Sequence, residues 1–312
     1  MLHHMFWRYW RMKTSDFIYR KFPFDEFNKA QVLAVKSADQ DVNLVISMPT
    51  ASGKTAIIEA IFGFHTETDN KKLLYICPFK SLAEEKYDDW HLDEQFKKNH
   101  PVIVCGDRDF DKDKFFKSRM AIMTIESFDA KTRNYPEWFR DVGAIVADEA
   151  HILSTKRRGA ALESAIIRAS TINPSARLVL VSAEIGNNIE IAKWLKHLNG
   201  KSTKSINSSW RPNYISYEFE PLPYGYYEVF KAILEKIKET PKDKKIIVFV
   251  HSKKIGKYIN DELRKKKIKS LFHNGSLSGK ERKKIEELFS QCDSNLNVII
   301  STSTLSTGVN LK

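Results

Sequence analysis

The fold of this chain follows from one stretch, Met48-Pro49-Thr50-Ala51-Ser52-Gly53-Lys54-Thr55. An apolar run from Val42 to Met48 leads into it, and the residues from Ala56 to Phe64 leave it with helical spacing. A strand, a loop and a helix in this order predict a variant of the phosphate-binding P-loop. The strict pattern begins with glycine, and this chain has Met48 at that position.

The residues of the loop suit a nucleoside triphosphate. Gly53 lets the backbone come close to the phosphates, and the helix that follows offers them its positive end. Lys54 is predicted to hold the β- and γ-phosphates and Thr55 to ligate Mg²⁺. Thr50 and Ser52 complete the predicted binding loop. The alternative for this stretch alone is an ordinary turn that happens to contain Gly-Lys-Thr.

The length and charge of the chain set broad limits on its class. With 312 residues it can form two domains that each have a core. Its net charge of +12 is unevenly distributed, since residues 201–312 hold 22 Lys and Arg against 12 Asp and Glu. A basic half of this kind indicates a polyanionic partner, because neutralised phosphates release their counterions. A solvated, lysine-rich surface explains the charge alone equally well.

The three cysteines, Cys77, Cys105 and Cys292, are widely spaced and form no Cys-x-x-Cys pair. Neither a zinc site nor a disulfide framework is therefore indicated, and a reducing location is expected, in the cytoplasm or, in a eukaryote, the nucleus. Cys77 and Cys105 lie in apolar runs and are expected to be buried. No apolar run reaches the length of a membrane span, so no membrane partner is expected.

Short runs of strand-forming residues alternate with helical stretches along the chain. The predicted strands are Val42–Met48, Lys72–Cys77, Pro101–Cys105, Ala121–Ile125, Ala144–Ala147, Arg177–Ser182, Lys245–His251, Lys269–Phe272 and Val298–Ser301. This alternation predicts an α/β fold with parallel sheets. The stretch Asn199–Pro223 is rich in Ser and Pro and predicts a linker. We therefore expect two domains, residues 1–205 and 206–312, with a ligand cleft between them.

A second motif, Asp148-Glu149-Ala150-His151, follows the apolar run Ala144–Ala147. A carboxylate at the carboxyl end of a parallel strand can lie beside a P-loop in a doubly wound sheet. Asp148 is therefore a candidate Mg²⁺ ligand, and Glu149 is a candidate base that polarises the attacking water. An acidic pair alone is a weak signal, and its position after a strand and after a Gly-Lys-Thr loop makes it a strong one.

The loop and the acidic motif together resemble the superfamily-two helicases that carry a DEAH box. The remaining motifs are similar to those of the Ski-type group, which contains DNA repair helicases and exosome or spliceosome RNA helicases. The segments that carry the resemblance are Phe27-Asn28-Lys29-Ala30-Gln31, Pro78-Phe79-Lys80-Ser81-Leu82-Ala83, Thr124-Ile125-Glu126-Ser127, Arg158-Gly159-Ala160-Ala161-Leu162-Glu163, Trp210-Arg211-Pro212, Phe249-Val250-His251-Ser252, His273-Asn274-Gly275-Ser276-Leu277 and Thr302-Ser303-Thr304-Leu305-Ser306-Thr307-Gly308-Val309-Asn310.

The resemblance implies two RecA-like parallel-sheet domains in tandem, with ATP and Mg²⁺ as cofactors. Lys54, Asp148 and Glu149 would be the catalytic residues. Gln31 would read the adenine edge. Gly308 would face the nucleotide from the segment Thr302–Asn310, which resembles the family's motif V. The residues implied to contact nucleic acid are Pro78, Lys80, Thr124, Glu126, Ser127, His251, Ser252, Thr302 and Thr304.

The implied activity is ATP-dependent movement along a nucleic-acid strand, as a helicase that runs 3′ to 5′ on single-stranded DNA. An RNA helicase of the same group is an alternative, because the residues that would read the 2′-hydroxyl are not identifiable in the sequence. Two other interpretations stay open. One is a module that binds ATP and nucleic acid without hydrolysis, and the other is a double-strand translocase that works with a partner.

Two features depart from the family pattern. Motif III reads Ser182-Ala183-Glu184 where the family has Ser-Ala-Thr, which predicts altered coupling between hydrolysis and strand binding. The sequence ends at Lys312, just after motif V, so the second domain is expected to be incomplete. The family's arginine motif, worth about 10³–10⁵ in rate in related NTPases, would come from a missing C-terminal part or from a partner. His151 is expected to connect the ATP site with motif III rather than to bind a metal.

Overall fold

The computed structural model describes residues 12–106, 109–221, 225–241, 243–291 and 296–305. Contacts divide the chain into two compact units, with the division between Tyr214 and Ile215. Each unit is built on a parallel sheet with helices between its strands, which confirms the predicted α/β class.

The first unit alternates strands and helices. Its strands are β1 (Asn43–Ser47), β2 (Lys72–Cys77), β3 (Val102–Val104), β4 (Met120–Thr124), β5 (Val142–Ala147), β6 (Arg177–Ser182) and β7 (Thr203–Asn207). Its helices are α1 (Lys29–Val35), α2 (Lys54–Thr68), α3 (Lys80–Leu92), α4 (Glu94–Lys97), α5 (Lys112–Lys117), α6 (Ile125–Asn134), α7 (Pro136–Phe139), α8 (Lys156–Ile172) and α9 (Asn188–Asn199), with short 3₁₀ helices at Thr14–Asp16 and Ala150–Ser154. The strands form one sheet in the order β3-β4-β2-β5-β6-β1-β7, and every neighbouring pair is parallel.

Helices cover both faces of this sheet. Leu44 and Ile46 of β1 belong to one hydrophobic cluster, which includes residues of α1, α2 and α3. Val45 belongs to a second cluster, which includes residues of α6 and α8. Because successive side chains of a strand point to opposite faces, a strand covered on both sides needs a continuous apolar run. That is the pattern from which these strands are predicted.

The second unit is smaller. Its strands are β8 (Ile246–Phe249), β9 (Ser270–His273) and β10 (Val298–Ser301), and its helices are α10 (Tyr226–Glu239), α11 (Lys253–Lys265) and α12 (Gly279–Ser290), with a 3₁₀ helix at Ser303–Leu305. The three strands form a parallel sheet in the order β8-β10-β9. Ile300 packs with Ile259 and Leu263 in one cluster, whereas Ile299 packs with Phe289 in another. The two faces of β10 therefore support separate cores.

The predicted linker contains a strand. Thr203–Asn207 pairs with β1 along its whole length, and Trp210 packs against the first hydrophobic cluster. The boundary expected between residues 205 and 206 falls inside this strand, and the first unit extends to Tyr214. The hydrophobic pattern does not predict β7, because Ile206 is its one buried side chain. The strand is specified by its pairing with β1 rather than by its own composition.

The predicted strands and the predicted burial of two cysteines are confirmed. All nine predicted strands are present, each within two residues of its expected bounds. Cys77 and Cys105 are buried, and Cys292 lies outside the described residues. In the part of the chain that the structure describes, no helix has the length and apolar character needed to cross a membrane.

Candidate nucleotide and nucleic-acid sites

The sheet order brings the two predicted nucleotide motifs to one edge. The P-loop joins β1 to α2, and the segment Asp148-Glu149-Ala150-His151, called here the DEAH segment, follows β5. One strand, β6, lies between β1 and β5. Since neighbouring strands are about 4.8 Å apart, the two loops begin roughly 10 Å from each other. Lys54 and the acidic pair therefore lie at the same carboxyl edge, as expected for a doubly wound sheet.

The backbone of the P-loop requires glycine at position 53. Gly53 has a φ of +84°, and a Cβ atom at this position would lie 2.2 Å from Gln31 Nε2. Ala51 also has a positive φ, of +62°. These two left-handed residues bend the chain tightly before α2 begins at Lys54. Thr50 is exposed on this loop.

Two side chains of the P-loop bond to the loop's own backbone. Lys54 Nζ donates a hydrogen bond to the Met48 carbonyl at 3.1 Å. Ser52 Oγ donates to the Pro49 carbonyl at 2.6 Å, and the Ser52 side chain is fully buried. The Ser52 hydroxyl therefore stabilises the turn of the loop, while the Lys54 ammonium bonds to the carbonyl of the loop's first residue.

Gln31 and Asn28 hold the P-loop from the side. They cap α1 reciprocally, with Gln31 N donating to Asn28 Oδ1 at 3.0 Å and Asn28 N donating to Gln31 Oε1 at 2.9 Å. Their amide nitrogens reach the P-loop, where Asn28 Nδ2 donates to the Ser52 carbonyl at 2.8 Å and Gln31 Nε2 to the Gly53 carbonyl at 3.1 Å. Gln31 thus lies beside the nucleotide loop, and its contact with adenine stays a prediction.

The acidic pair is fixed by a buried tyrosine and by its own backbone. Tyr75 Oη donates to Asp148 Oδ2 at 2.7 Å, and Glu149 N donates to Asp148 Oδ1 at 2.8 Å. Burial raises the pKa of Tyr75, so its hydroxyl stays protonated and remains a donor. Glu149 has a φ of +52°, a conformation that costs a non-glycine residue about 1–3 kcal/mol and persists only where the surroundings fix it.

The surroundings of Glu149 favour its protonated form. Burial raises the pKa of Glu149, and the negative charge of Asp148 raises it further. Lys54 and His151 oppose this rise in the pKa of Glu149 without cancelling it. A carboxylate with a raised pKa is a stronger base, so Glu149 is better suited than an exposed glutamate to accept a proton from water.

Thr55 and Asp148 have the donor atoms that a magnesium ion needs. Among the described residues there is no group of three or more His, Cys, Asp or Glu side chains that could hold a metal ion by itself. Thr55 lies half-buried in the first turn of α2, and the Asp148 carboxylate is held in place by Tyr75. One hydroxyl and one carboxylate fit Mg²⁺ when substrate phosphates and water supply the other ligands.

His151 connects the DEAH segment with motif III, as predicted. Its Nδ1 lies 3.1 Å from Ser182 Oγ and 3.2 Å from Glu149 Oε2. Ser182 Oγ also donates to the Glu184 carbonyl at 3.3 Å. The exposed Glu184 side chain lines a cavity that borders His151 and Glu163. Glu184, at the position where the family has threonine, therefore adds negative charge beside the DEAH segment.

Five residues predicted to contact nucleic acid lie at the carboxyl ends of the paired strands β2 and β4. Pro78 and Lys80 follow β2, while Thr124 ends β4 and Glu126 and Ser127 follow it. Thr124 caps α6, since its Oγ1 accepts from Ser127 N at 3.4 Å and donates to Ser127 Oγ at 3.0 Å. The two hydroxyls are thus used within the cap, whereas the Glu126 side chain is exposed.

Arg158 joins these two loops, and sequence analysis gives it no such role. It lies in the first turn of α8, and its Nε donates to Glu126 Oε1 at 2.8 Å. Its Nη2 donates to the Pro78 carbonyl, and its guanidinium carbon lies 5.4 Å from the centroid of the Phe79 ring. Local patterns do not show these contacts, because they span 32 and 80 positions of sequence.

The second unit brings motif V against β9. His273 Nδ1 lies 2.8 Å from Thr304 Oγ1, and His273 Nε2 lies 2.9 Å from Glu286 Oε1. Thr302 N donates to the His273 carbonyl at 3.2 Å. Burial lowers the pKa of His273, and Glu286 only partly offsets this effect. The neutral ring can then accept from the Thr304 hydroxyl while it donates to the Glu286 carboxylate.

The remaining predicted site residues of the second unit are not part of this network. His251 is exposed just beyond β8. Ser252 caps α11, and its hydroxyl oxygen accepts from Ile255 N at 3.2 Å. Gly308, predicted to face the nucleotide, lies outside the described residues.

The fold and the site together define a P-loop protein with RecA-like architecture, in which a strand-end Asp-Glu pair lies beside the phosphate loop. The chain belongs to the DEAD/DEAH box helicase family, whose profile matches residues 28–191. A second profile, described as the helicase conserved C-terminal domain, matches residues 227–312.

Curated relatives are similar over most of this chain. The ATP-dependent DNA helicase Hel308 of Thermoplasma volcanium is 30% identical, over 96% of this chain and 48% of the relative. The ATP-dependent DNA helicase MER3 of Saccharomyces cerevisiae is 29% identical, over 93% of this chain and 28% of the relative. The chain thus spans about half of the first relative and less of the second.

Solved structures share the architecture. The helicase Lhr of Mycobacterium smegmatis, bound to single-stranded DNA and AMP-PNP, has a TM-score of 0.68 at 19% identity, over 90% of this chain and 40% of its own. The DUF1998 helicase MrfA, bound to DNA and AMPPNP, has a TM-score of 0.73 at 21% identity, over 93% of this chain and 43% of its own. At these identities the likeness establishes the fold alone.

Proposed function

We propose that this chain is the ATP-driven motor part of a DNA helicase that moves along single-stranded DNA. The observation that carries the proposal is the position of Lys54 and Glu149 at one sheet edge, where burial and Asp148 raise the pKa of Glu149. Such a carboxylate suits the removal of a proton from the attacking water. Family membership, and relatives named ATP-dependent DNA helicases, support the same activity.

The residues at this edge would share the hydrolysis of ATP. Lys54 would exchange the Met48 carbonyl for the β- and γ-phosphates, which are also drawn to the amino end of α2. Glu149 would accept the proton of the water that attacks the γ-phosphorus. Thr55 and Asp148 would hold Mg²⁺, which when bound neutralises charge on the phosphate oxygens.

The loops after β2 and β4, with Thr302 and Thr304, would bind the nucleic-acid backbone. Contacts with the sugar-phosphate backbone do not depend on the base sequence, which suits a motor that moves along any strand. DNA is favoured over RNA because the relatives quoted above are named DNA helicases. Movement from 3′ to 5′ rests on the resemblance to the Ski-type group. Three widely spaced cysteines without a Cys-x-x-Cys pair suit a reducing compartment, the cytoplasm or the nucleus.

ATP turnover with and without single-stranded DNA or RNA tests this function. We expect turnover that DNA stimulates more than RNA does. Lys54→Ala should lose both ATP binding and turnover, because the phosphates lose their cationic partner. Glu149→Gln should keep ATP binding while turnover falls at least about 100-fold, the usual contribution of a general base. Lys193→Ala and Glu137→Gln change the same charges at exposed positions and serve as matched controls.

Each outcome of this experiment has a distinct meaning. Tight ATP binding by the Lys54 variant would contradict its phosphate role, and full turnover by the Glu149 variant would contradict its role as the base. ATP binding by the wild type without turnover would favour the non-hydrolysing module. Stronger stimulation by RNA would change the substrate to RNA.

A further inference from the structure

Arg158 is a charged side chain at the predicted strand-binding loops to which the proposed mechanism gives no task. It contacts the Pro78 carbonyl and the Phe79 ring after β2, and the Glu126 carboxylate in the first turn of α6. A guanidinium is suited to such a junction, because its fork of donors holds a carboxylate and a carbonyl at once. One side chain therefore sets the separation of two loops that come from different strands.

Arg158 is also joined to Glu149 by a short segment with continuous backbone hydrogen bonds. Ile152 N donates to the Glu149 carbonyl at 3.1 Å, and Thr155 N donates to the Ile152 carbonyl at 2.9 Å. Gly159 N then donates to the Thr155 carbonyl at 3.1 Å. The 3₁₀ helix after the acidic pair and the first turn of α8 therefore form one stiff element.

Position 159 has room only for glycine. A Cβ atom there would lie 2.5 Å from the Leu153 carbonyl oxygen and 2.7 Å from that of Ile152. The Thr155 hydroxyl links the 3₁₀ helix to the first turn of α8, since its Oγ1 accepts from Gly159 N at 3.1 Å and donates to the Ile152 carbonyl at 2.7 Å. Because the first turn of α8 is seated directly on the 3₁₀ helix, a displacement of the DEAH segment moves Arg158 with it.

We infer that Arg158 is a positioning residue that ties the loops after β2 and β4 to the DEAH segment, so that a strand bound by those loops is coupled to Glu149. The coupling rests on the proposed function, whereas the positioning of the loops stands on the contacts alone. This route does not pass through Ser182-Ala183-Glu184, the motif in which this chain departs from its family.

Three variants test the inference in a turnover assay titrated with single-stranded DNA. Arg158→Ala should raise the strand concentration that gives half-maximal stimulation about fivefold, because the loops lose a charge-assisted junction. Arg158→Lys should behave like the alanine variant, since lysine restores the charge but not the fork. Arg157→Ala removes the same charge from the neighbouring exposed residue and should stay within about twofold of the wild type.

Hydrogen exchange on the protein without ligands tests the positioning separately. Arg158→Ala should speed exchange at Ala83, whose amide bonds to the Phe79 carbonyl, and at Ser127, whose amide bonds to Thr124. Arg157→Ala should leave both amides unchanged.

The two measurements separate the possible failures. Equal effects of the Arg158 and Arg157 alanine variants, or full recovery by Arg158→Lys, would overturn the inference, because charge alone would then explain the result. A wild type that the strand does not stimulate would overturn the proposed function and the coupling with it. In that case the exchange rates still decide whether Arg158 positions the loops.

Discussion

The two sheets hold the residues at their strand ends in different ways. In the first unit, Gln31 holds the P-loop and Tyr75 holds Asp148, and both of these partners keep one protonation state near neutral pH. In the second unit, Thr304 bonds to His273, an imidazole that becomes charged as the pH falls through its lowered pKa. The P-loop and Asp148 are thus held by groups that keep one protonation state, whereas Thr304 of motif V bonds to a histidine that can gain a proton.

The tryptophans allow the two units to be followed separately. All six lie before residue 215, so tryptophan fluorescence reports on the first unit alone. Hydrogen exchange at the amides of β9 and β10 reports on the second. With these two probes, the effect of a substitution on the stability of each unit can be measured separately.

The largest effect is expected from Gly53→Ala in the first unit. The added methyl group would meet Gln31 and would hold alanine at a positive φ, so the P-loop and its lateral support could not both keep their places. We expect the first unit to lose about 3–4 kcal/mol of its free energy of unfolding, because the clash adds to the backbone strain, and ATP binding to fall with it. Denaturation followed by tryptophan fluorescence measures the first quantity, and titration with ATP the second.

Gly186→Ala is the matched control, because a Cβ atom at position 186 meets no heavy atom within 4 Å. It should change the unfolding free energy by no more than about 0.5 kcal/mol. If the two glycine variants were equally stable, the P-loop would not depend on Gln31 for its shape.

A smaller effect is expected from His273→Ala in the second unit. The change removes a buried ring that bonds to Thr304 and to Glu286, and it leaves the Glu286 carboxylate without that donor. We expect a loss of about 2 kcal/mol in the second unit, seen as faster exchange in β9 and β10. His251→Ala, at an exposed histidine of the same unit, should leave these rates unchanged. Unchanged fluorescence in both variants would show that the first unit is unaffected.

The smallest effect is the pH dependence, and it has opposite signs in the two units. The folded pKa of Glu149 is raised, so its contribution to stability is present below about pH 4.5 and is lost as the pH rises through the raised value. The folded pKa of His273 is lowered by burial and by Arg282 against the pull of Glu286. Its contribution is present above about pH 6.5 and is lost as the pH falls through the lowered value.

Unfolding measured across pH tests both signs. Glu149→Gln should gain stability relative to the wild type as the pH rises from 4.5. His273→Ala should lose less stability than the wild type as the pH falls from 6.5. Parallel pH curves for the wild type and either variant would refute the assigned direction for that residue.

Sequence reasoning succeeds here where the signal is local. The P-loop and the DEAH segment are short motifs at the ends of apolar runs, and the sheet order brings them to one edge as expected. The strands of the first unit are predicted because burial on both faces demands continuous apolar residues. The expected contact between His151 and motif III is present, because His151 lies within hydrogen-bonding distance of Ser182. This expectation comes from the resemblance to the family.

The same reasoning fails where a contact depends on residues far apart in the chain. Tyr75 lies 73 positions from Asp148, and Arg158 lies 80 positions from Pro78, so no spacing rule connects them. The hydrogen bonds that Ser52 and Thr124 form within their own loops are also not predicted. The sequence does not show whether a hydroxyl group faces a ligand or bonds within its own loop.

Strand β7 has a consequence for how the protein behaves at high concentration. It forms one end of the seven-stranded sheet, where a row of backbone groups can accept a strand from another molecule. Lys204, Ser205 and Asn207 are exposed there. Charged and polar side chains on an edge discourage sheet-to-sheet association. The polar composition of β7 is the reason that the hydrophobic pattern does not predict this strand, and the same composition protects the sheet edge against aggregation.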